Sequence, residues 1–448
     1  MKLRLLICSI LALSLAPSAA QAGGMFLPAR GARELGRAGS FVAGADDGGA
    51  IYYNPAGLAD IDGRSLLLDV GLIFQSVDYT RVDSGGNLQP KVSGKQEVLP
   101  IPTLVFTIKP KKHPRWTFAV GLWTPYLASN SYPETGPQRY SQVNINGSLL
   151  FVLEAAAAVK LRDDLWLGFG LQNMFLKFRD VKALSACSVS CAPEDPSFDS
   201  LTQLDASSLF TPSAIVGLTF ARPKVRLGLS FQLPFWVRAD GTVHSRLPSD
   251  PMFANSKVVG DAVSVNFMLP PELRIGAEWR PTPRIRAEIG FDYEAWSVLD
   301  QQTVIPHGVY IDNVPGVGRY VLSTTLINRQ LTDSYSAHIG GEFEVIKNWL
   351  VLRAGYLFES NATPDRTLSV FGTDGLKNMV TAGLSVNIKK VRIDVGYGHI
   401  FILDRTVDWR TSQAYQSNPI QPNIPTGVGG GTYSVSADVL SLGLNARF

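Results

Sequence analysis

"NMVTAGLSVNIKKVRIDVGYGHIF", residues 378–401, holds two alternating runs joined by a pair of lysines. In the first, Val380, Ala382, Leu384, Val386 and Ile388 share one face, with Thr381, Gly383, Ser385 and Asn387 on the other. In the second, Val391, Ile393, Val395, Tyr397 and Phe401 oppose Arg392, Asp394, Gly396 and Gly398. A period of two is the mark of a strand with one apolar face. "IRAEIGFDYEA" at 285–295 repeats it, setting Ile285, Ala287, Ile289, Phe291 and Tyr293 against Arg286, Glu288, Gly290, Asp292 and Glu294. One face suits lipid and the other is charged. Alternation alone would also fit a soluble sandwich, whose polar faces meet water.

Connection lengths decide between the two. Fourteen candidate strands are centred near residues 72, 103, 120, 154, 173, 214, 233, 270, 294, 339, 355, 382, 397 and 440. After the even-numbered strands the links are short: "KPKKHPR", "LRDD", "ARPK", "RPTPR", "IKN" and "KK". After the odd-numbered strands they are long, at 81–96, 127–144, 183–206, 244–259, 305–330, 361–375 and 404–431. Strict short–long alternation is the pattern of an outer-membrane barrel with tight periplasmic turns and long external loops. An even strand count lets such a sheet close, leaving no edge unpaired in lipid. The last run, "VLSLGLNARF", alternates Leu440, Leu442, Leu444, Ala446 and Phe448 against Ser441, Gly443, Asn445 and Arg447. A terminal aromatic on such a strand resembles the assembly signal of outer-membrane barrels. The expected fold is therefore all-β, a 14-stranded antiparallel transmembrane barrel over residues 64–448.

The start of the chain fixes the compartment. Lys2 and Arg4, an apolar run from Leu5 to Ala16, and Ala20-Gln21-Ala22 read as a signal peptide over residues 1–22. Removing these 22 residues from 448 leaves 426, with 39 basic against 38 acidic side chains. So balanced a chain gives no reason to invoke nucleic acid or acidic partners. No apolar run is long enough for a transmembrane helix. Cys187 and Cys191 are the only cysteines left, four apart in a predicted loop. In an oxidising compartment a small loop disulfide is the expected pairing. A metal site is the alternative, with little support from histidines scattered at 113, 244, 307, 338 and 399.

Ahead of the first strand lie 41 residues, Gly23 to Gly63, of which 18 are Gly or Ala. A barrel this wide has a lumen that its own side chains do not fill. A compact small-residue segment can fold inside it as a plug, where the backbone approaches the wall closely. A flexible leader is the alternative, but it would strand Ile51, Tyr52, Tyr53 and Leu58 in water.

Within that segment, "GSFVAGADDGGAIYYNPAGLA" (39–59) resembles the amino-terminal hatch of the FadL-like long-chain fatty-acid and hydrophobic-compound transporters of the Gram-negative outer membrane. The matching residues are Ala43 to Asp47, Tyr53, Asn54, Pro55 and Ala56, and "LPPELRIGAEWRP" at 269–281 also looks like a strand of that family. The resemblance implies passive uptake of a hydrophobic ligand, captured by external loops, bound near the hatch and released sideways through a kinked third strand. Asp46, Asp47, Tyr53, Asn54, Pro55 and Ala56 would then form the hatch's gating motif, and Gly121 or Pro125 would supply the kink.

Candidate ligand contacts are Phe26 on the hatch and Trp123, Tyr126, Leu127 and Tyr132 in "LWTPYLASNSY". An aromatic cluster there fits either a capture site or an interfacial girdle. Inward-facing Arg274, Arg286, Arg353 and Arg392 would meet a carboxylate, or else pair internally with Glu278, Glu288 and Asp394. The expected partners are a hydrophobic small molecule, outer-membrane lipid and lipopolysaccharide, and the assembly machinery through the last strand. No cofactor, metal or nucleic acid is expected, and the chain should act as a monomer.

Catalysis finds no foothold. "VDSGGN" at 82–87 lacks the flanking Gly and Pro of a serine-protease nucleophile and is ordinary turn chemistry. There is no nucleophile elbow, phosphate loop or zinc motif. A polar-solute porin and a surface adhesin remain as alternatives. A plug argues against the first, and long loops alone would serve the second.

Overall fold

The computed structural model of the chain describes residues 29–98, 100–125, 129–187, 191–192, 194–418 and 426–448. The expected signal peptide, Phe26, Tyr126 and Leu127 lie outside the described residues.

Fourteen antiparallel strands form one closed barrel. They are β1 Arg64–Arg81, β2 Pro100–Ile108, β3 Trp116–Trp123, β4 Leu149–Arg162, β5 Leu165–Ser185 and β6 Asp199–Ala221. Four interrupted strands follow, the first three being β7 Val225–Gln232 with Phe235–Arg246, β8 Ala262–Leu269 with Glu272–Thr282, and β9 Ile285–Glu294 with Gln301–Pro306. The wall is completed by β10 (Thr325–Asn328 with Ser334–Ile346), β11 Leu350–Glu359, β12 Lys377–Ile388, β13 Val391–Ile402 and β14 Gly431–Arg447. Pairing of β14 with β1, from Ser65↔Arg447 to Arg81↔Gly431, closes the ring. Closure satisfies backbone groups that hydrocarbon could not.

The alternation seen in sequence is the inside–outside alternation of this wall. Val380, Tyr397 and Phe401 are exposed on the outer face, while Thr381, Ser385 and Asp394 are buried within. Exposed Trp116, Trp279 and Trp349 lie towards the short turns, and exposed Tyr293, Tyr335, Tyr356 and Tyr397 lie towards the loop end. Such aromatics suit the two membrane interfaces. At the tightest turn Lys389 takes φ 56°, as a two-residue hairpin with the twist of its strands requires.

Two features differ from the expectation. β5 and β6 run much further than their centres suggest, so much of the stretch expected to be loop at 183–206 is a paired hairpin. The stretches at 244–259 and 305–330 contribute a separate three-stranded sheet of Lys257–Val259, Tyr310–Val314 and Gly318–Val321. Its Val314 packs in one cluster with Ala186 and Phe253.

A candidate ligand passage

The segment from residue 29 to residue 61 lies inside the ring of strands, and almost all of it is buried. A one-turn helix, α1 (Ala32–Leu35), sits against β12, β13, β14 and β1. A second, α2 (Ala50–Tyr53), leads into a 3₁₀ turn at Pro55–Asp60 that packs on β3, β4, β5 and β6.

The Asn-Pro-Ala step joins these pieces. Asn54 Oδ1 accepts from Ala56 N at 3.1 Å and caps the turn. Its Nδ2 donates to Val42 O at 2.9 Å, Leu218 O at 3.2 Å and Thr219 Oγ1 at 3.0 Å. One amide therefore ties the turn to the preceding chain and to β6. Pro55 opens the turn, where a missing N–H is harmless and a fixed φ suits. The wall makes room with glycine: a Cβ on Gly168 would come within 2.2 Å of Ala56 N, and one on Gly217 within 2.1 Å of Asn54 Oδ1.

The opposite side of the segment is ionic. Arg37, fully buried, pairs with Glu278 at 3.0 Å, Glu288 at 3.2 Å and Glu342 at 3.1 Å. Arg33 bridges Asp46 at 2.6 Å, Asp47 at 2.8 Å and Glu342 at 2.8 Å. Glu288 also accepts the backbone N–H groups of Val42, Ala43 and Gly44 at 2.7, 2.8 and 2.9 Å. Burial works against the Asp46 charge, but Arg286 and Arg33 outweigh it and hold that carboxyl well below the usual carboxylate range. Glu34 differs. Neither of its buried oxygens has a hydrogen-bond partner, and burial beside Asp47 and Asp69 pushes its carboxyl well above that range.

This network decides the four wall arginines. Arg286 holds Asp46 at 2.7 Å and Glu278 at 2.9 Å, Arg392 holds Asp47 at 2.6 Å and Asp394 at 2.8 Å, and Arg353 reaches Glu342 at 3.3 Å and Asp394 at 3.4 Å. Arg274 pairs with Glu272, donates to Tyr52 O at 3.1 Å and lies 4.1 Å from the Tyr52 ring centre. All four are paired with carboxylates, and Arg274, Arg286 and Arg392 also hold the amino-terminal segment. Of the two readings open in the sequence, internal pairing is the one the geometry takes.

A cavity of about 1340 Å³, counted to its open mouth, lies on the loop side of the segment. Ile73, Val77, Ile145, Leu299, Val370 and Ile400 give it apolar walls. Its cations are Lys377 and Arg329. Lys377 is held by Glu359 and by Asp374 at 3.4 Å. Arg329 has no ion-pair partner among the described residues: it donates to Gln302 Oε1 at 3.0 Å and lies 4.2 Å from the Phe371 ring centre. A second, more polar cavity of about 840 Å³ shares Arg329, Thr367, Ser369 and Phe371 with the first. Sequence reading missed Arg329, because a lone arginine in a long loop carries no periodic signal.

The same cavity reaches a break in β3. That strand is laddered to both neighbours as far as Trp123, which opposes Thr103 and Val152. Among the described residues, wall pairing is next seen at Ser131, which bridges Lys95 and Asn144. Between these points Thr124 and Pro125 are buried, and Arg30 donates to Thr124 O at 2.8 Å and to Pro125 O. Pro125 lies two residues beyond Trp123, the last laddered position. At Gly121 the ladder is intact on both sides, and its missing side chain leaves room for Ile51, 3.0 Å from where a Cβ would be. Trp123 is buried, donating to Glu154 at 3.0 Å and meeting the Tyr52 ring edge-on, so it is neither girdle nor free capture surface. Tyr132 is buried in the loop cluster with Val77 and Tyr433. Tyr53 meets the backbone N–H of Arg30 at 2.8 Å. In the outer loops Cys187 and Cys191 are joined, with Cα atoms 5.8 Å apart.

Over residues 13–448 the chain matches the family described as outer membrane protein transport protein (OMPP1/FadL/TodX). No curated protein matches it. Among solved structures it resembles a Pseudomonas aeruginosa FadL homologue, with TM-score 0.79 and 16% identity over 95% of this chain and 100% of that one. It also resembles the P. putida toluene transporter TodX (TM-score 0.67, 17% identity, 94% and 99% covered). The Ralstonia pickettii toluene transporter TbuX gives TM-score 0.65 and 16% identity, with 94% and 99% covered. At such identities the likeness establishes the fold and leaves the ligand open.

Proposed function

The chain belongs to the OMPP1/FadL/TodX family of outer-membrane transport proteins, which are channels and not enzymes, and from that premise we propose that it takes up amphipathic molecules with a long apolar tail and an anionic head, of the fatty-acid kind. The observation that carries this reading is Arg329, a cation without an ion-pair partner among the described residues, set over an aromatic ring where a polar outer cavity meets an apolar inner one. A carboxylate head would pair with that guanidinium while the tail fills the space beyond.

In this reading the loops face outward and the amino-terminal segment is a hatch. It blocks the axial path, and the ligand leaves sideways where β3 departs from the wall. Arg30 ties the hatch to Thr124 and Pro125, so displacing the hatch pulls on the chain at the side opening. An open porin is disfavoured by a lumen filled from residue 29 to residue 61.

Uptake of a fluorescent long-chain fatty acid into cells carrying the protein tests the reading. Arg329→Gln should lower uptake of the acid several-fold and leave that of its neutral methyl ester unchanged. Equal loss for both would refute head-group recognition, and no uptake above empty cells would refute transport.

A further inference from the structure

A second break crosses the wall, far from β3. Between β6 and β7 the ladder runs to Ile215↔Gln232 and starts again at Ser207↔Asp240 in unchanged register. Residues 208–213 and 234–239 therefore face one another without backbone pairing. The last ties below the gap are Leu233 N to Ala214 O and Ser213 Oγ to Leu233 O, each 2.8 Å.

The sequence explains the gap. Pro212 and Pro234 lie nearly opposite each other, and neither has an N–H to give a ladder. β6 also carries an extra residue here, a bulge set against β5 between Met174 and Leu176. Asn173 takes over for the lost ladder on the β5 side: its Nδ2 donates to Leu209 O at 3.0 Å and its Oδ1 accepts from Thr211 N at 2.9 Å. The interruption continues around the wall at the same level. Leu269 pairs with Phe235, which sets Pro270 against Pro234, and β9 then turns inward at Trp296. On the lipid side Leu209 and Phe210 are 77% and 74% exposed.

Hydrocarbon tolerates unpaired backbone only where protein or a cavity shields it. Behind this gap the shield is apolar and continuous. Phe235, Val237, Leu269, Trp296 and Leu299 belong to one buried cluster, and its last two members line the large cavity. Phe235, Val237, Leu269 and Leu299 have apolar side chains held by dispersion and shape, so they can part without breaking an ion pair or hydrogen bond, while Trp296 is also tied through Nε1, which donates to Glu294.

We infer that the β6–β7 seam is a second side passage, which exchanges small neutral hydrophobic molecules between the cavity and the bilayer. A carboxylate would have to shed its hydration along the buried apolar lining of the seam, whose one cation, Arg238, is exposed, so the seam admits neutral ligands and leaves anionic ones to the β3 break. The inference rests on the transport reading of the same cavity.

The test uses the full-length barrel in lipid vesicles and N-phenylmaleimide, a membrane-soluble thiol reagent. Thr211, fully buried in the seam, is replaced by cysteine; the native cysteines are already joined. Thr107→Cys, equally buried but within an intact ladder, sets the background, and Phe210→Cys on the lipid face shows that the reagent arrives. Thr211→Cys should react several-fold faster than Thr107→Cys, and an excess of decane should slow it. Equal rates would overturn the passage. In the second arm Pro212→Val with Pro234→Val restores two ladder donors. Uptake of a neutral hydrophobic dye should then fall several-fold while fatty-acid uptake holds; unchanged dye uptake in a folded barrel would also overturn it. If the unaltered protein moved neither probe, the transport reading itself would fail, whatever the thiol rates.

Discussion

Arg37→Met is the sharpest probe of how the hatch is held. Arg37 is fully buried and touches three carboxylates, those of Glu278, Glu288 and Glu342. Removing one partner from a buried ion pair costs about 3–5 kcal/mol, because an uncompensated charge stays behind. Here the lower end applies. Glu278 keeps Arg286 at 2.9 Å, and Glu342 keeps Arg33 at 2.8 Å and Arg353 at 3.3 Å. Only Glu288 loses its cation, retaining the three backbone N–H groups of Val42–Gly44. A loss of about 3 kcal/mol raises the unseated population on the order of a hundredfold. Single-channel recording in planar bilayers should show openings more frequent by that order, with the heat-stable barrel unchanged on a gel. The added change Glu288→Gln should bring most of the closure back, since it removes the charge left alone. High salt should not imitate the variant, because the pairs are buried. An opening frequency equal to that of the parent would refute the claim that this cluster seats the hatch.

Other consequences are quickly stated. Asn54→Ala removes three donor contacts and a cap, so it should raise ion conductance and lower fatty-acid uptake without loss of folded barrel; uptake falling only in step with folding would reduce Asn54 to a turn former. Burial beside Asp47 and Asp69 raises the Glu34 pKa when the hatch is seated, so its contribution is present at low pH and is lost as pH rises through that raised pKa. Openings should increase with pH above the ordinary glutamate range, and Glu34→Gln should flatten that rise; an identical pH profile would refute the assignment. Asp46 has the opposite sign: its depressed pKa keeps the clamp to Arg33 and Arg286 until strongly acid pH, where openings should rise again. Mass spectrometry of unreduced peptides should find Cys187 and Cys191 joined, and Cys187→Ser with Cys191→Ser should leave the barrel folded, since so small a closed loop contributes about 2 kcal/mol.

The wall was legible because lipid imposes its pattern on every strand. Each of the fourteen expected centres falls in a barrel strand, but those near 233, 270 and 294 fall where β7, β8 and β9 are interrupted or end. Alternation meets these breaks as a change of phase: Arg226, Ser230 and Gln232 are buried before Pro234, and Phe235, Val237 and Ala239 after it, although the register to β6 is unchanged. Pro212, Pro234, Pro270 and Pro271, in three successive strands, mark the same places by their missing donors. The site was less legible. Arg286, Arg353 and Arg392 were visible as inward cations, but their fate depended on Asp46, Asp47 and Glu342. Arg33 and Arg37 pair with Glu342 across some three hundred residues of chain, which no local pattern encodes.

The two sides of the hatch are held by unlike forces, and this sets the direction in which it can yield. Towards β8–β13 the attachment is ionic, so moving it strands several buried charges together and is close to all-or-none. Towards β3–β6 it is mostly apolar, through Ile51, Tyr52, Ala56 and Leu58, with Asn54 as its polar tie. Apolar contact is non-directional and is exchanged readily for contact with an apolar ligand. On the proposed transport reading, a tail pressing down from the cavity would displace the β3–β6 side first and turn the hatch about its ionic edge. Arg30 stands on that side, hydrogen-bonded to Thr124 and Pro125. Unseating and side opening would then be one movement, driven by ligand burial on the face where the hatch has fewest charges to uncover.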